Sequence, residues 1–323
     1  MSLTEWLERN RWVWSFLGVL VLWAILSIAT SRFSLHSLSG VAASASFLVI
    51  VALGQMLVVT TGRGNIDLSI ASVLTLSAYA SIVVTQGLDA RLPFAIGAVV
   101  LIGLVTGAVN ALLVVAFRIP AIIATLATGY ILATGTLIAN RWAAGFAVSP
   151  VLKMLAAGRI GGFPVMLIVA LLAVVLVGLL LRRTVYGRAI SAVGQNERAA
   201  ALAGIRTGRV VVAAFIASAI LAALTGMLLG AYVGGAFLEM GAPYLLQSLG
   251  AVVLGGSLIF GGSSTALGTL FGSLLLVLIV TTMQIVGLPP GTQDIVQGFV
   301  VIAVLALAGG QAVRRRRSRA SPA

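Results

Sequence analysis

An acid stands at the mouth of a long apolar run in Gly62-Arg63-Gly64-Asn65-Ile66-Asp67-Leu68-Ser69. A carboxylate at membrane depth is costly and is kept where it gates or lines a pathway. Asp67 or Asn65 can instead cap a helix start, accepting from free backbone N–H groups and complementing the helix dipole. Both readings stay open on the sequence. Neutral hydrogen-bonding groups recur in or near other apolar runs, at Gln55, Ser69, Gln247, Ser248 and Gln284. Such groups suit passage of an uncharged polyhydroxylated solute, which needs transient partners and no strong trap. Each can equally bond one membrane helix to another. With Asn65 and Asp67 they make up the candidate translocation pathway or gate.

A second polar feature runs from Tyr186 to Ile205, YGRAISAVGQNERAAALAGI, with Arg182, Arg183, Arg206 and Arg209 flanking it. Glu197 to Gly204 reads as a short surface helix stopped by Gly204, with Asn196 as its N-cap. Its alanine face is small and flat, which suits insertion into a cleft of another protein better than it suits a solvated loop.

Other chemistry is excluded. The chain holds seven carboxylates, one histidine and no cysteine, so it has neither disulfides nor a Cys or multi-His metal site. The lone lysine, Lys153, follows Val-Leu and not a glycine-rich phosphate loop, so the chain cannot itself be an ATPase. No GxSxG or HExxH pattern occurs, and no nucleophile–base set is visible, which disfavours a membrane enzyme or receptor. Ionisable groups are too few for the relay of a typical ion-coupled carrier.

The elements that position these residues are membrane helices. Hydrophobic residues make up 60% of the 323, charged residues only 8%, and mean hydropathy is +1.17. A soluble fold of this length could not bury so much apolar surface. Uncharged runs of near-spanning length recur at 13–30, 41–60, 66–86, 93–117, 119–140, 163–181, 210–231, 243–260, 263–286 and 291–308. The expected fold is an all-α integral membrane protein of about ten transmembrane helices, since lipid leaves no partner for open backbone. The run 243–260, broken by Gly255-Gly256, can be half-inserted. The first run lacks a small-residue cleavage site and reads as a retained span.

Net charge is +13. With the N-terminus inside, Arg9, Arg11, Arg63, Arg118, Arg182, Arg183, Arg188, Arg198, Arg206, Arg209, Arg314 to Arg317 and Arg319 fall in inner loops. Only Arg32, Arg91, Arg141, Lys153 and Arg159 fall outside. This is the positive-inside pattern, and it explains the charge without nucleic acid. It puts both termini in the cytoplasm, with a basic tail over 310–323 at the anionic leaflet. No soluble domain fits. The whole of 1–323 reads as one transmembrane domain, with an inner loop at 182–209 and an outer one at 141–162 carrying a short interfacial helix at 151–157. An internal echo is visible. Span 41–60, a glycine hinge with Asp67 and a helix match span 210–231, a hinge with Gly234-Gly235, Glu239 and Gly241, and a helix. The hinges fall on opposite sides, as in an inverted repeat. The spacings Gly103/Gly107 and Gly268/Gly272 are helix-packing signals first.

On these residues the chain resembles permease subunits of bacterial ABC importers of the ribose/xylose/arabinose/galactose type, within the branched-chain amino-acid permease superfamily. GRGNIDLSIAS resembles the family's Gly-Gly-Ile-Asp-Leu-Ser-Val-Gly-Ser. YGRAISAVGQNERAAALAGI resembles its ATPase-docking loop, and AVVLGGSLIFGGSSTALGTLFGSLL and ATLATGYILATG resemble later blocks. The chain departs at Arg63-Gly64-Asn65, at Ala71, at Gln247 to Gly250 and at Thr281 to Gln284. The resemblance implies an ATP-binding-cassette importer in the bacterial inner membrane, moving a neutral monosaccharide or related polyol inward by alternating access. It implies that Gly187, Arg188, Gly194, Asn196, Glu197, Ala199, Ala200, Gly204 and Ile205 couple to a partner ATPase, which holds the ATP and Mg while this chain holds no cofactor. The other implied partners are a periplasmic or lipid-anchored sugar-binding protein and a second permease, either a copy or a sister chain. Alternatives are a permease for a nucleoside, an autoinducer-type furanose or a branched-chain amino acid, and an ion-coupled secondary carrier.

Overall fold

Long apolar runs have only their own backbone to bond with once water is gone, so they close into helices wherever glycine or proline does not interrupt. The computed structural model describes Asn10 and residues 12–30, 35–143, 147–289, 291–293, 295–300 and 302–303. The helices are α1 (Trp12–Thr30), α2 (Leu35–Thr60), α3 (Ile70–Thr85), α4 (Leu92–Ala111), α5 (Ala121–Ala143), α6 (Pro150–Ala157), α7 (Val165–Arg183), α8 (Val185–Gln195), α9 (Glu197–Leu202), α10 (Thr207–Val233), α11 (Ala242–Leu254) and α12 (Ala266–Ile285). The last turn of α4 widens into a π turn at Leu112–Ala116.

Among the described residues, six helices are long and apolar enough to cross a membrane, and three shorter apolar stretches accompany them, in α1, α3 and α11. The expected span at 66–86 begins as a helix only at Ile70, because the N–H groups of Asp67, Leu68 and Ser69 are spent on side chains. The run at 243–260 yields 13 helical residues. At 1.5 Å per residue that is roughly 20 Å, too short for a hydrocarbon core of about 30 Å. The expected span at 291–308 lies partly outside the described residues, and the basic tail at 310–323 lies wholly outside them.

The bundle is centred on α2 and α10, whose buried faces form the apolar core. Helix α10 packs on α4, α3 and α2, and α12 packs on α1, α11 and α2. Both glycine pairs are intramolecular contacts. A Cβ on Gly107 would lie 2.5 Å from Ile216 Cα, and one on Gly103 2.7 Å from Ile220 Cα. Gly268 and Gly272 sit equally close to the backbone of Gly255 and Ala251. Lipid is as apolar as a leucine side chain, so such backbone proximity, and not the hydrophobic effect, holds the helices together. Helix α1 is pinned to α12 by the rings of Trp12 and Phe16 on Phe271, with centroids 5.7 and 5.0 Å away.

The loop expected at 141–162 carries the short helix α6, capped by Ser149 Oγ accepting from Leu152 N at 3.3 Å. The sequence reading did not anticipate the two-residue strands that follow. β1 (Arg159–Ile160) pairs antiparallel with β2 (Phe163–Pro164), in the register Arg159 with Pro164. Gly161 and Gly162 make the turn at φ of 58° and 86°.

Gly107→Val is expected to push α4 off α10, at a cost of about 1–3 kcal/mol or more for overpacking. Gly97→Val, where an added Cβ meets nothing within 4 Å, is the matched control. Thermal denaturation of the detergent-solubilised chain should show a lower midpoint for Gly107→Val and little change for Gly97→Val.

Candidate functional site

Between α2 and α3 the chain runs without helix from Thr61 to Ser69, yet most of this break is buried. Its backbone and its acid therefore need internal partners. Asp67 is 1% exposed. Its Oδ1 accepts from Ser69 N at 3.0 Å and from Ser69 Oγ at 2.6 Å, just ahead of α3, whose first turn has no side-chain cap. Its Oδ2 accepts from Ser218 Oγ of α10 at 3.0 Å. Gln55 Oε1 of α2 accepts from Asp67 N at 3.3 Å, and Thr125 Oγ1 of α5 accepts from Leu68 N at 3.0 Å. Asn110 Nδ2 of α4 donates to Ser69 Oγ at 2.9 Å. One non-helical segment thus ties five helices together. Gln55 Nε2 and Asn110 Oδ1 are buried in this cluster with no partner among the described residues. Asn65 stands apart from it, donating to Thr61 Oγ1 at 2.9 Å.

The polar island folds as two helices. Thr184 Oγ1 caps α8 by accepting from Gly187 N at 3.1 Å, and Asn196 Oδ1 caps α9 by accepting from Ala199 N at 3.1 Å. Gly204, at φ 82°, ends α9. Its N–H donates to Ala201 O at 2.9 Å and Ile205 N donates to Ala200 O at 3.0 Å, the paired bonds of a glycine-terminated helix. Ala200 turns inward at 4% exposure, so it seats the helix and does not present it. Leu202, which the sequence reading passed over, is 92% exposed. Tyr186 donates to Val210 O at 3.3 Å, and burial pushes its phenol above the ordinary value.

The island touches the Asp67 break directly. Arg63 and Glu197 form an ion pair at 2.9 Å. Gly194 packs so tightly that a Cβ would sit 2.0 Å from Thr60 O and 2.3 Å from Gly262 N. A Cβ on Gly261 would sit 2.3 Å from Gly62 Cα, and Gly262 N donates to Thr60 O at 3.0 Å. The end of α2, the end of α8 and the glycine loop before α12 therefore meet backbone to backbone. These segments are the three most distinctive stretches of the sequence.

The structure gathers Gln55, Asp67 and Ser69 into one cluster and leaves the other pathway candidates elsewhere. Gln247 Nε2 donates to Gln297 Oε1 at 2.7 Å, Ser248 is buried in α11 with its hydroxyl on Leu245 O at 3.2 Å, and Gln284 is exposed. The cluster residues that the sequence reading missed are Asn110, Thr125 and Ser218. Asn110 carried a signal, as a lone amide inside the run 93–117. Ser218 carried none, being one small residue in an alanine-rich span.

The second break, 234–241, turns back along α3. Gly241 N donates to Thr75 Oγ1 at 2.9 Å, and a Cβ there would strike Ala71 O at 2.0 Å. Each break is therefore bonded to a helix adjoining the other one: Asp67 to α10 and Gly241 to α3. A cavity of about 410 Å³ opens between α3, α5 and this second break.

Comparison with known proteins adds a family. A model described as branched-chain amino acid transport system / permease component matches residues 37–305. An autoinducer 2 import system permease protein LsrC from Enterobacter sp. (strain 638) is 35% identical over 313 residues, spanning 94% of this chain and 88% of that protein. The protein of the same name from Yersinia pseudotuberculosis serotype O:1b (strain IP 31758) is 31% identical over 315 residues, spanning 94% and 86%. No solved structure matches.

Asp67→Ala leaves Ser218 Oγ and Ser69 N without their acceptor, at an expected cost of about 1–3 kcal/mol for each group stranded. Asp67→Asn keeps one acceptor oxygen and should cost less than Asp67→Ala. Thermal midpoints of the two variants, compared with Ser218→Ala, measure the tie. A midpoint for Asp67→Ala equal to wild type would show that the carboxylate ties nothing.

Proposed function

The chain belongs to the branched-chain amino acid transport system permease component family, and from that premise we propose that it moves a neutral monosaccharide or related cyclic polyol inward. It is a multi-pass inner-membrane permease of an ABC importer. The observation that carries the solute class is the near full-length likeness to autoinducer 2 import permeases, joined to an interior rich in neutral hydrogen-bonding groups and poor in charge. Those relatives, named for autoinducer 2 import, favour a small solute of that kind over a nucleoside or a branched-chain amino acid. A proton- or ion-coupled carrier has little to draw on, since Asp67 is the sole buried carboxylate among the described residues.

The mechanism in this reading is alternating access. A partner ATPase binds ATP and Mg, and this chain needs no cofactor and catalyses no bond change. The ATPase docks on α9 through the exposed Arg198, Ala199 and Leu202, while the buried Ala200 and the turn at Gly204 hold α9 in place. Closure of the ATPase displaces α8 and α9. The glycine contacts at Gly194, Gly62 and Gly261 pass that displacement to the Asp67 break without compressible side chains between them. Gln55, Asp67 and Ser69 then act as the hinge beside the path. Gln247, Ser248 and Gln284 lie farther along it.

The wider arrangement follows the charge pattern. One permease domain crosses the membrane about ten times, both termini are cytoplasmic, and the basic tail lies at the inner leaflet. The reciprocal ties of the two breaks support an inverted repeat. A second permease, identical or a sister chain, completes the pathway, and a periplasmic or lipid-anchored binding protein delivers the solute.

Leu202→Asp is expected to weaken association with the ATPase by about 2 kcal/mol or more, the scale of an interface hot spot. Uptake into proteoliposomes should fall with it while the thermal midpoint of the chain holds. Undiminished ATP-driven uptake would remove α9 from the interface, and uptake by the chain alone under an ion gradient would remove the importer reading.

A further inference from the structure

The cavity of about 410 Å³ between α3, α5 and the second break lies in the size range of small-molecule sites. Its walls are mostly apolar. The polar residues lining it are Ser72 and Thr75 of α3, Tyr130, Thr134 and Thr136 of α5, and Glu239 of the break. Three of these are committed elsewhere. Thr75 Oγ1 donates to Ala71 O and accepts from Gly241 N, each at 2.9 Å, Thr134 Oγ1 donates to Tyr130 O at 3.1 Å, and Thr136 Oγ1 donates to Leu132 O at 2.9 Å. Ser72 Oγ, the Tyr130 hydroxyl and the Glu239 carboxylate have no partner among the described residues.

Their chemistry selects a solute. Glu239 only accepts hydrogen bonds, and no lysine or arginine lines the cavity to balance an anion. A phosphorylated solute would therefore meet a like charge without compensation, and an amino acid could pair its ammonium with Glu239 but would leave its carboxylate unmatched. A divalent cation would find a single carboxylate, and no acidic cluster for a metal exists among the described residues. A neutral molecule with adjacent hydroxyls satisfies Glu239 as a double donor. The Tyr130 ring, 68% exposed, offers a flat apolar face for the C–H side of a small ring.

We propose that this cavity is the permease's own solute-recognition subsite, with Glu239 accepting from neighbouring hydroxyls of a small neutral cyclic polyol and Tyr130 covering its C–H face. The assignment rests on the importer reading above and specifies where that importer holds its cargo. Glu239 sits on the break whose Gly241 is bonded to Thr75, so a solute held there bears directly on the position of the break and on the start of α11 at Ala242.

The chain contains no cysteine, so Thr134→Cys places one reactive thiol in the cavity. In the assembled transporter in proteoliposomes, D-ribose, D-xylose, D-galactose and L-leucine serve as probes. A sugar that is imported should protect Thr134→Cys from a methanethiosulfonate reagent, and L-leucine should not. Glu239→Gln and Tyr130→Ala should each cut uptake of that sugar about tenfold, near the effect of one lost hydrogen bond to a charged group. Retained co-purification of the ATPase would show both variants to be assembled. Import by wild type with neither protection nor any loss in the variants overturns the subsite and leaves the importer reading standing. If no sugar is imported, or if L-leucine alone is imported and protects, the polyol reading falls and the subsite falls with it.

Discussion

A carboxylate enclosed among membrane helices cannot be hydrated, so it must be met by donors built into the fold. Asp67 meets this demand with Ser69 at the start of α3 and Ser218 in the middle of α10. The same non-helical segment offers its own backbone to Gln55 and Thr125. The break in the helix and the acid are one device. A continuous helix would have used up the N–H groups of Asp67 and Leu68, leaving nothing with which to bind α2 and α5. Interruption of a buried helix, normally a liability, here gives the bundle its polar centre.

Glycine governs the rest of the packing for a related reason. Apolar side chains gain little by leaving lipid for protein, so helices hold together where their backbones come close. Gly103 and Gly107 bring α4 onto α10, and Gly268 and Gly272 bring α12 onto α11. At Gly62, Gly194, Gly261 and Gly262 the same device joins loops and helix ends. Where Gly194 meets Thr60 and Gly262 the contact is backbone on backbone, so a shift of α8 meets little soft side-chain material there. The ion pair between Arg63 and Glu197 spans the same joint from its exposed side, where its own contribution is small, on the order of 0–1 kcal/mol.

The two breaks are alike in construction and differ in chemistry. The first buries its acid and satisfies it. The second presents Glu239 at a cavity and satisfies its own backbone through Thr75. One break is thus bonded to the interior and the other borders a cavity. In the mechanism proposed above, the ATPase acts near the first and the cargo near the second, with α3 and α10 packed together between them.

The sequence by itself determined the solvent, the helical class and most helix positions, because uncharged runs of spanning length have one stable answer in lipid. It also determined the caps of α9, since Asn196 and Gly204 act on backbone groups a few residues away. The motif stretches were legible as three separate segments. Their meeting at Gly62, Gly194 and Gly261 was not, because contact between residues some 130 and 200 positions apart in the numbering leaves no local trace beyond the glycines themselves. Hydrophobicity could not distinguish Ala200, which faces inward, from Leu202, which faces out, since α9 is too short for a periodic pattern to fix its orientation. The choice of Ser218 as the acid's partner was likewise made only by the tertiary structure. A serine in an alanine-rich helix acquires a role when the crossing of α10 over the break brings its hydroxyl within 3.0 Å of a buried carboxylate.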